Sequence, residues 1–356
     1  MKIHKNYNLS KLNTFGISVN AKFFVEIHNE TEVKELFSKK EFKSNKKLFL
    51  GGGSNVLFTK DFDGLVILNK LKGIEILEEN SKTVKIRAMG GEIWHDLVIF
   101  AVKHDYWGIE NLALIPGTVG AAPMQNIGAY GAELKETLFK VETFEIETGE
   151  KKIFSKEECK LGYRDSIFKN ELKDKYFIMA VTLKLSKIPK PNLSYKILQE
   201  YLEKLARQSV GGNKIEVKNS KDISDAISEI RRSKLPDPKI IGNAGSFFKN
   251  VFVSKDRFEE LKKIHGEIPH FDDETSPQPS PLRRGGNIKI PAGWLIEQCG
   301  WKGKRMGNVG VHEKQALVLV NYGGATGKEM LTLANKIIDG VKDKFDLELL
   351  PEVNLI

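Results

Sequence analysis

Cysteine is almost missing: Cys159 and Cys299 are the only two in 356 residues, and neither has a second thiol at metal-ligand or redox-pair spacing. Neither a disulfide framework nor a zinc site follows, and a reducing compartment is expected. Long apolar runs are missing too. No segment approaches the roughly 20 residues that cross a bilayer, and the opening MKIHKNYNLSKLNTFGI lacks the continuous apolar stretch of a secretory signal. The expectation is a cytoplasmic protein without a membrane partner. A dense basic block with interleaved aromatics is also lacking, although 56 lysines and arginines exceed 47 acidic residues and give a charge of +9. The surplus is scattered, which suits a solvated surface or a phosphorylated small molecule better than a nucleic acid.

What is present is ordinary globular composition, 40% hydrophobic and 29% charged, which argues against a disordered or fibrous chain. The length predicts two or three packed lobes. AKFFVEI from Ala21 reads as a strand, the segment from Thr31 as a helix, and KLFL and GLVIL as strands on either side of a Gly-rich turn. TVKIRAMGG from Thr83 reads as a strand. The pairs Ile93/Trp94, Leu97/Val98 and Ala101/Val102 predict an amphipathic helix that ends near Gly108. VETFEIE and KKIF flank a hairpin turn at Thr148 and Gly149, and YFIMAVTLKL is a further strand. LSYKILQEYLEKLARQ and ISDAISEIRRSK read as helices joined through GGNKIEVKNS. ALVLVNY, the GKEMLTLANKIIDGVKDKF helix and a closing strand over 346–356 end the chain. TSPQPSPLRRGGN, 275–287, is low in complexity and is expected to be a mobile insertion.

Two Gly-rich segments stand out. Gly51, Gly52, Gly53, Ser54 and Asn55 follow an apolar strand, where backbone amides can approach a phosphate. The spacing fits neither the Rossmann fingerprint nor the P-loop, and a plain tight turn explains it as well. GGATGKE at Gly323 also fails as a P-loop and reads as a loop opening a helix. The run from Ile115 to Gly131, IPGTVGAAPMQNIGAYG, is denser in small residues, which implies that something large approaches its backbone. Thr118, Gln125 and Asn126 could hydrogen-bond a polar ring or a pyrophosphate there, and Gly117, Gly120 and Gly128 leave room for it. Two such loops can clasp one dinucleotide; a tightly packed loop is the alternative.

GGGSNVLF, ENLALIPGTVGAAPMQNIGAYG, LGYRDSIFK, SKLPDPK, GNAGSFFKN, AGWLIEQC and LPEV, in this order, closely resemble the UDP-N-acetylenolpyruvoylglucosamine reductase (UDP-N-acetylmuramate dehydrogenase) family over nearly the whole chain. The resemblance implies an α+β fold: a two-lobed FAD-binding domain of the vanillyl-alcohol oxidase type plus a C-terminal α/β substrate domain. The lobes are expected over 1–70 and 71–215, and the substrate domain over 216–356. It further implies noncovalent FAD, NADPH as hydride donor, UDP-N-acetylglucosamine enolpyruvate as substrate, no metal and a monomer. No histidine, His312 included, has ligand spacing or a flavin-attachment context.

Family positions carry over to Arg164 of GYRDS, Ser246 of GNAGSFF and Glu352 of PEV as catalytic. Read alone, each has a plainer explanation: a structural salt bridge, a helix N-cap and an exposed strand carboxylate. Hydride addition to the enolpyruvyl carbon leaves charge that spreads into the carboxylate. Arg164 would grip that carboxylate by its fork, a protonated Glu352 would donate to it, and Ser246 would protonate the adjacent carbon. Tyr163, Tyr195 of LSYK, Lys234, Asn250 and Gln298 match positions that hold the nucleotide sugar, and LSYK implies the subclass with a mobile tyrosine loop. The Pro-rich insertion departs from the family at His270 and Phe271, so the resemblance does not say which residue contacts uracil.

Overall fold

The computed structural model describes residues 1–208, 217–272 and 288–356. The Pro-rich stretch expected as a mobile insertion over 275–287, most of the connector near residue 211 and the 215/216 boundary lie outside the described residues. The chain forms two compact units. One comprises Met1–Lys5, Phe23–Gly52 and Asp63–Ser233; the other comprises Asn6–Lys22, Gly53–Phe62 and Lys234–Ile356.

In the first unit the strand Lys46–Leu50 pairs in parallel with Phe62–Asn69, Leu50 lying opposite Leu68. Asn20–Ile27 and His4–Asn8 complete that sheet. An antiparallel sheet follows, in the order Lys151–Ser155, Leu138–Glu145, Tyr176–Ser186, Thr83–Met89 and Ile74–Glu79. Thr83–Met89 alternates strictly, burying Val84, Ile86 and Ala88 and turning Lys85 and Arg87 outward. The helix Trp94–Lys103 buries Trp94, Leu97, Val98, Ala101 and Val102, the spacing its sequence predicts. These side chains share a core with Val181, Leu183 and the Ile223, Ile227 and Ile230 stripe of the helix Ser220–Lys234.

The second unit is built on short antiparallel strands. Gly242–Ser246, Val318–Asn321, Val309–Val311 and Arg305–Met306 form one sheet, and Val251–Val253, Ile288–Ile290 and Phe271–Asp272 another. The helix Gly327–Phe345 buries Met330, Leu333, Ala334, Ile337, Val341 and Phe345. It starts on a capping box in which Thr326 and Glu329 exchange hydrogen bonds, so the GGATGKE loop opens a helix. The chain's end differs from the strand expected over 346–356. Only Asn354–Leu355 is strand, paired in parallel with Val56–Leu57. Ahead of it Pro351 lacks an amide to donate, and pairing with 247–249 survives as separate bonds from Lys249 N to the Leu350 carbonyl and from Glu352 N to the Phe247 carbonyl.

Candidate active site

The strand Lys46–Leu50 delivers Gly51 and Gly52 to the segment at Gly117 and Thr118. A Cβ on Gly51 would collide with the Thr118 hydroxyl, and one on Gly52 would sit 2.9 Å from Gly117 Cα. Gly52 and Gly117 meet backbone to backbone because neither has a side chain, and Gly117 takes a φ of 109° that disfavours any other residue. Thr118 Oγ1 is buried without a hydrogen-bond partner among the described residues, a costly state for a hydroxyl. An open hydroxyl beside two Gly-rich turns fits a polar group of a dinucleotide. Gly53 is needed for the protein's own packing: its φ is 62°, a Cβ would strike the Leu12 carbonyl, and its own carbonyl accepts from Thr14 N at 3.0 Å.

Past Thr118 the 3-10 turn Val119–Gln125 packs on the antiparallel sheet. Gly120 N donates to the Gly90 carbonyl at 2.9 Å, and a Cβ on Gly120 would lie 3.0 Å from that oxygen. Part of the small-residue density therefore answers the protein's own packing. Asn126, fully buried at φ 47°, is turned inward: its amide donates to Glu133 Oε2 and the Gly162 carbonyl, and its oxygen accepts from Lys135 N. Any contribution of Asn126 to a cofactor comes through the shape of its loop. Gln125 Oε1 accepts from Lys169 Nζ at 3.3 Å. Gly128 leaves space that Arg164 Nη1 borders, 3.4 Å from where a Cβ would be.

Arg164 stands at the corner of a tight turn. Gly162 and Asp165 exchange backbone hydrogen bonds of 3.1 and 3.3 Å, which leaves Tyr163 and Arg164 between them, and Arg164 takes a left-handed φ of 50°. Its guanidinium lies 5.7 Å from the Tyr163 ring centre. Tyr195 meets Tyr130 edge-on, with centroids 5.3 Å apart. Arg231, a residue the sequence did not single out, lies close enough to Tyr130 to act on it electrostatically. Burial lowers the Arg231 pKa; Tyr130 opposes that shift, and the like charge of Arg164 reinforces it. Burial also raises the pKa of both tyrosines. In the sequence Arg231 looked like one more surface cation of ISEIRRSK.

Ser246 and Glu352 come together within the second unit. Ser246 closes the strand Gly242–Ser246 opposite Val318, so it caps no helix. Gly245, at φ 66° with its amide donating to Asn243 Oδ1, turns the strand just before it. Phe247 and Phe248 are wholly buried, rings 5.0 Å apart, and act as core. Phe247 accepts from Glu352 N at 2.7 Å, and Asn55 Nδ2 donates to the Glu352 carbonyl at 3.3 Å. The glutamate is thus pinned on both sides of its Cα and half-buried, not an exposed strand carboxylate. Ser54 precedes Asn55 in the same turn.

The other binding candidates lie apart in role. Lys234 is the last residue of the helix Ser220–Lys234. Asn250 Oδ1 accepts from Ala292 N at 3.0 Å and so caps the helix Ala292–Gln298. Gln298 is exposed at the other end of that helix, its carbonyl accepting from Lys344 Nζ. Among the described residues no cluster of three or more His, Cys, Asp or Glu could hold a metal, and no helix is long and apolar enough to cross a membrane.

A family model described as FAD binding domain matches residues 21–151, and one described as UDP-N-acetylenolpyruvoylglucosamine reductase, C-terminal domain, matches 237–356. Proteins named UDP-N-acetylenolpyruvoylglucosamine reductase from Flavobacterium johnsoniae and Amoebophilus asiaticus are 46% and 45% identical, each alignment covering 100% of both chains. A crystal structure of the reductase of this name from Thermus caldophilus shares the fold, with a TM-score of 0.63 at 21% identity over 99% of this chain and 98% of that one. Full-length identity of this order, together with a matching FAD binding domain, means that the chain is an FAD-dependent oxidoreductase and belongs to the UDP-N-acetylenolpyruvoylglucosamine reductase family.

Proposed function

We propose that the chain reduces UDP-N-acetylglucosamine enolpyruvate to UDP-N-acetylmuramate for peptidoglycan synthesis, with noncovalent FAD and with NADPH as the hydride donor. The observation that carries the reading is the pairing of the Ser246 strand end with the Glu352 segment through Phe247. That backbone pairing supports reading the two residues as parts of one site, which a single reacting group would meet. The FAD clasp is assigned to Gly51, Gly52, Gly117 and Thr118. The chemistry that FAD supplies when bound is two-electron storage between the nicotinamide and the enolpyruvyl double bond.

The rest falls to side chains. Adding a hydride to the terminal enolpyruvyl carbon pushes the double-bond electrons toward the neighbouring carboxylate. Arg164 meets that charge, since a guanidinium stays protonated and binds both oxygens at once. Glu352 is assigned to the same charge as a further hydrogen-bonding partner. Ser246 delivers a proton to the adjacent carbon and completes reduction of the bond. Tyr163, Tyr195, Lys234 and Gln298 hold the nucleotide sugar, Lys234 at the diphosphate; Asn250 keeps its amide hydrogens for the sugar while its oxygen caps the helix. On this reading residues 1–70 and 71–215 are the lobes that serve FAD and 216–356 serve the substrate. NADPH and a nucleotide sugar as reactants suit a cytoplasmic enzyme.

The test is NADPH oxidation by purified, FAD-loaded protein. Turnover that requires the enolpyruvyl nucleotide sugar supports the reading. Oxygen consumption with simple alcohols, and none with that sugar, would replace it by an oxidase.

A further inference from the structure

The segment that leads into Tyr195 is fastened by two asparagines that lie outside all the positions assigned above. Asn111, only 1% exposed, sits in the short turn Glu110–Leu112. Its single Nδ2 donates both to the Tyr130 carbonyl and to the Asn192 carbonyl, each at 2.9 Å. Asn192 answers by donating its own Nδ2 to the Gly131 carbonyl at 2.9 Å, while its Oδ1 accepts from Ser194 N and Ser194 Oγ. One planar amide using both hydrogens fixes the spacing of two carbonyls. The Tyr130 turn and the Asn192–Ser194 segment are therefore joined as one piece.

Two further observations point the same way. Gly131, at φ 83°, is where the two segments touch: a Cβ there would lie 2.7 Å from Ser194 Oγ and 3.4 Å from Asn192 Oδ1. Only glycine permits the approach. Beneath Lys190–Ser194 lies a cavity of about 630 Å³, bordered by Trp107, Glu110, Glu136, Thr137 and Lys184. Within the segment only Leu193 packs on the core, and Leu198 of the following helix anchors its far end, so the hydrogen bonds fix the stretch between. Tyr195 follows directly and meets Tyr130 edge-on, so the clasp sets the relation between the two rings.

We propose that Asn111 and Asn192 are positioning residues, which hold Tyr195 against Tyr130 in the arrangement that receives the nucleotide sugar. The inference rests on the reading of Tyr195 as a substrate contact. The two residues act through Tyr195 and touch neither substrate nor flavin.

The experiment uses the FAD-loaded full chain and compares Asn192→Ala, Tyr195→Ala and the double variant with wild type. Asn192 is chosen because it is less buried than Asn111, and its removal is expected to leave the protein folded and yellow. For Asn192→Ala the expected result is a KM for the enolpyruvyl nucleotide sugar raised about five- to tenfold, the worth of a lost intramolecular hydrogen bond. Flavin bleaching by NADPH stays unchanged and kcat changes by less than about twofold. Tyr195→Ala raises KM at least as much, and the double variant is no worse than Tyr195→Ala alone. A wild-type KM in Asn192→Ala, with a raised one in Tyr195→Ala, overturns the clasp and leaves the role of Tyr195 standing. A wild-type KM in Tyr195→Ala removes that role and the clasp with it. Fully additive effects, or loss of flavin in Asn192→Ala, show that Asn192 acts elsewhere and also overturn the proposal.

Discussion

The amide of Glu352 donates to the carbonyl of Phe247 at 2.7 Å, one residue beyond Ser246. Residues more than a hundred positions apart are thereby locked into one backbone unit, and Asn55 ties the far side of Glu352 from a third segment. On the proposed reading, in which Ser246 gives the proton and Glu352 supports it, paired backbone would let both act on one substrate group with little rearrangement.

Thr118→Val separates the cofactor role of Thr118 from a packing role. Its hydroxyl is buried without a partner, so replacing it by an isosteric methyl is expected to leave the apoprotein's Tm unchanged or higher. FAD affinity falls about five- to tenfold for one lost hydrogen bond. Titration of apoprotein with FAD beside a thermal melt checks both; a lower apoprotein Tm with unchanged FAD affinity contradicts the assignment.

His95 gives a pH dependence. Its Nδ1 accepts from Leu114 N at 3.1 Å, just before the IPGTVG loop, and so the ring is neutral there. Burial lowers its pKa, with Asp96 opposing and Arg232 and Arg231 reinforcing. The unfolded chain then binds the proton more readily than the folded one. Stability from this group is full above the unfolded value near 6.5 and is lost as pH falls through the lower folded value. His95→Gln keeps a side-chain acceptor that does not titrate, and it is expected to flatten the fall in Tm between about pH 7 and 5. An unchanged slope would show that other groups carry it.

Much of this architecture was legible in the sequence, for physical reasons that differ by element. The helix Trp94–Lys103 and the strand Thr83–Met89 bury one face each, so their periods announce them. Strands of two to five residues such as Val309–Val311, Arg305–Met306 and Gly242–Ser246 are too short or too glycine-rich to alternate, and they exist through their neighbours. In the site, motif residues named Ser246, Glu352 and Arg164, but not how they are held. The Phe247–Glu352 bond, the Arg231–Tyr130 contact and the inward turn of Asn126 are tertiary facts, fixed by segments remote in the chain. Thr118 could be suspected from its loop; its open hydroxyl could not.

Arg164→Lys tests the fork. The backbone at φ 50° is no better or worse for lysine than for arginine, so a loss reports the head group. Reduction of the flavin by NADPH is expected to proceed at the wild-type rate, while its reoxidation by the enolpyruvyl sugar slows about tenfold or more, since a point charge cannot bind both carboxylate oxygens in the arginine geometry. Equal rates in both halves would return Arg164 to a structural role.

The most direct measurement is a stopped-flow comparison of Ser246→Ala with wild type, each half-reaction followed by flavin absorbance. Only the half that reduces the enolpyruvyl group needs a proton donor. The predicted result is unchanged bleaching by NADPH together with reoxidation by the enolpyruvyl sugar slowed by roughly 10² to 10⁴, the range of a lost general acid. Reoxidation of Ser246→Ala at the wild-type rate would contradict the account.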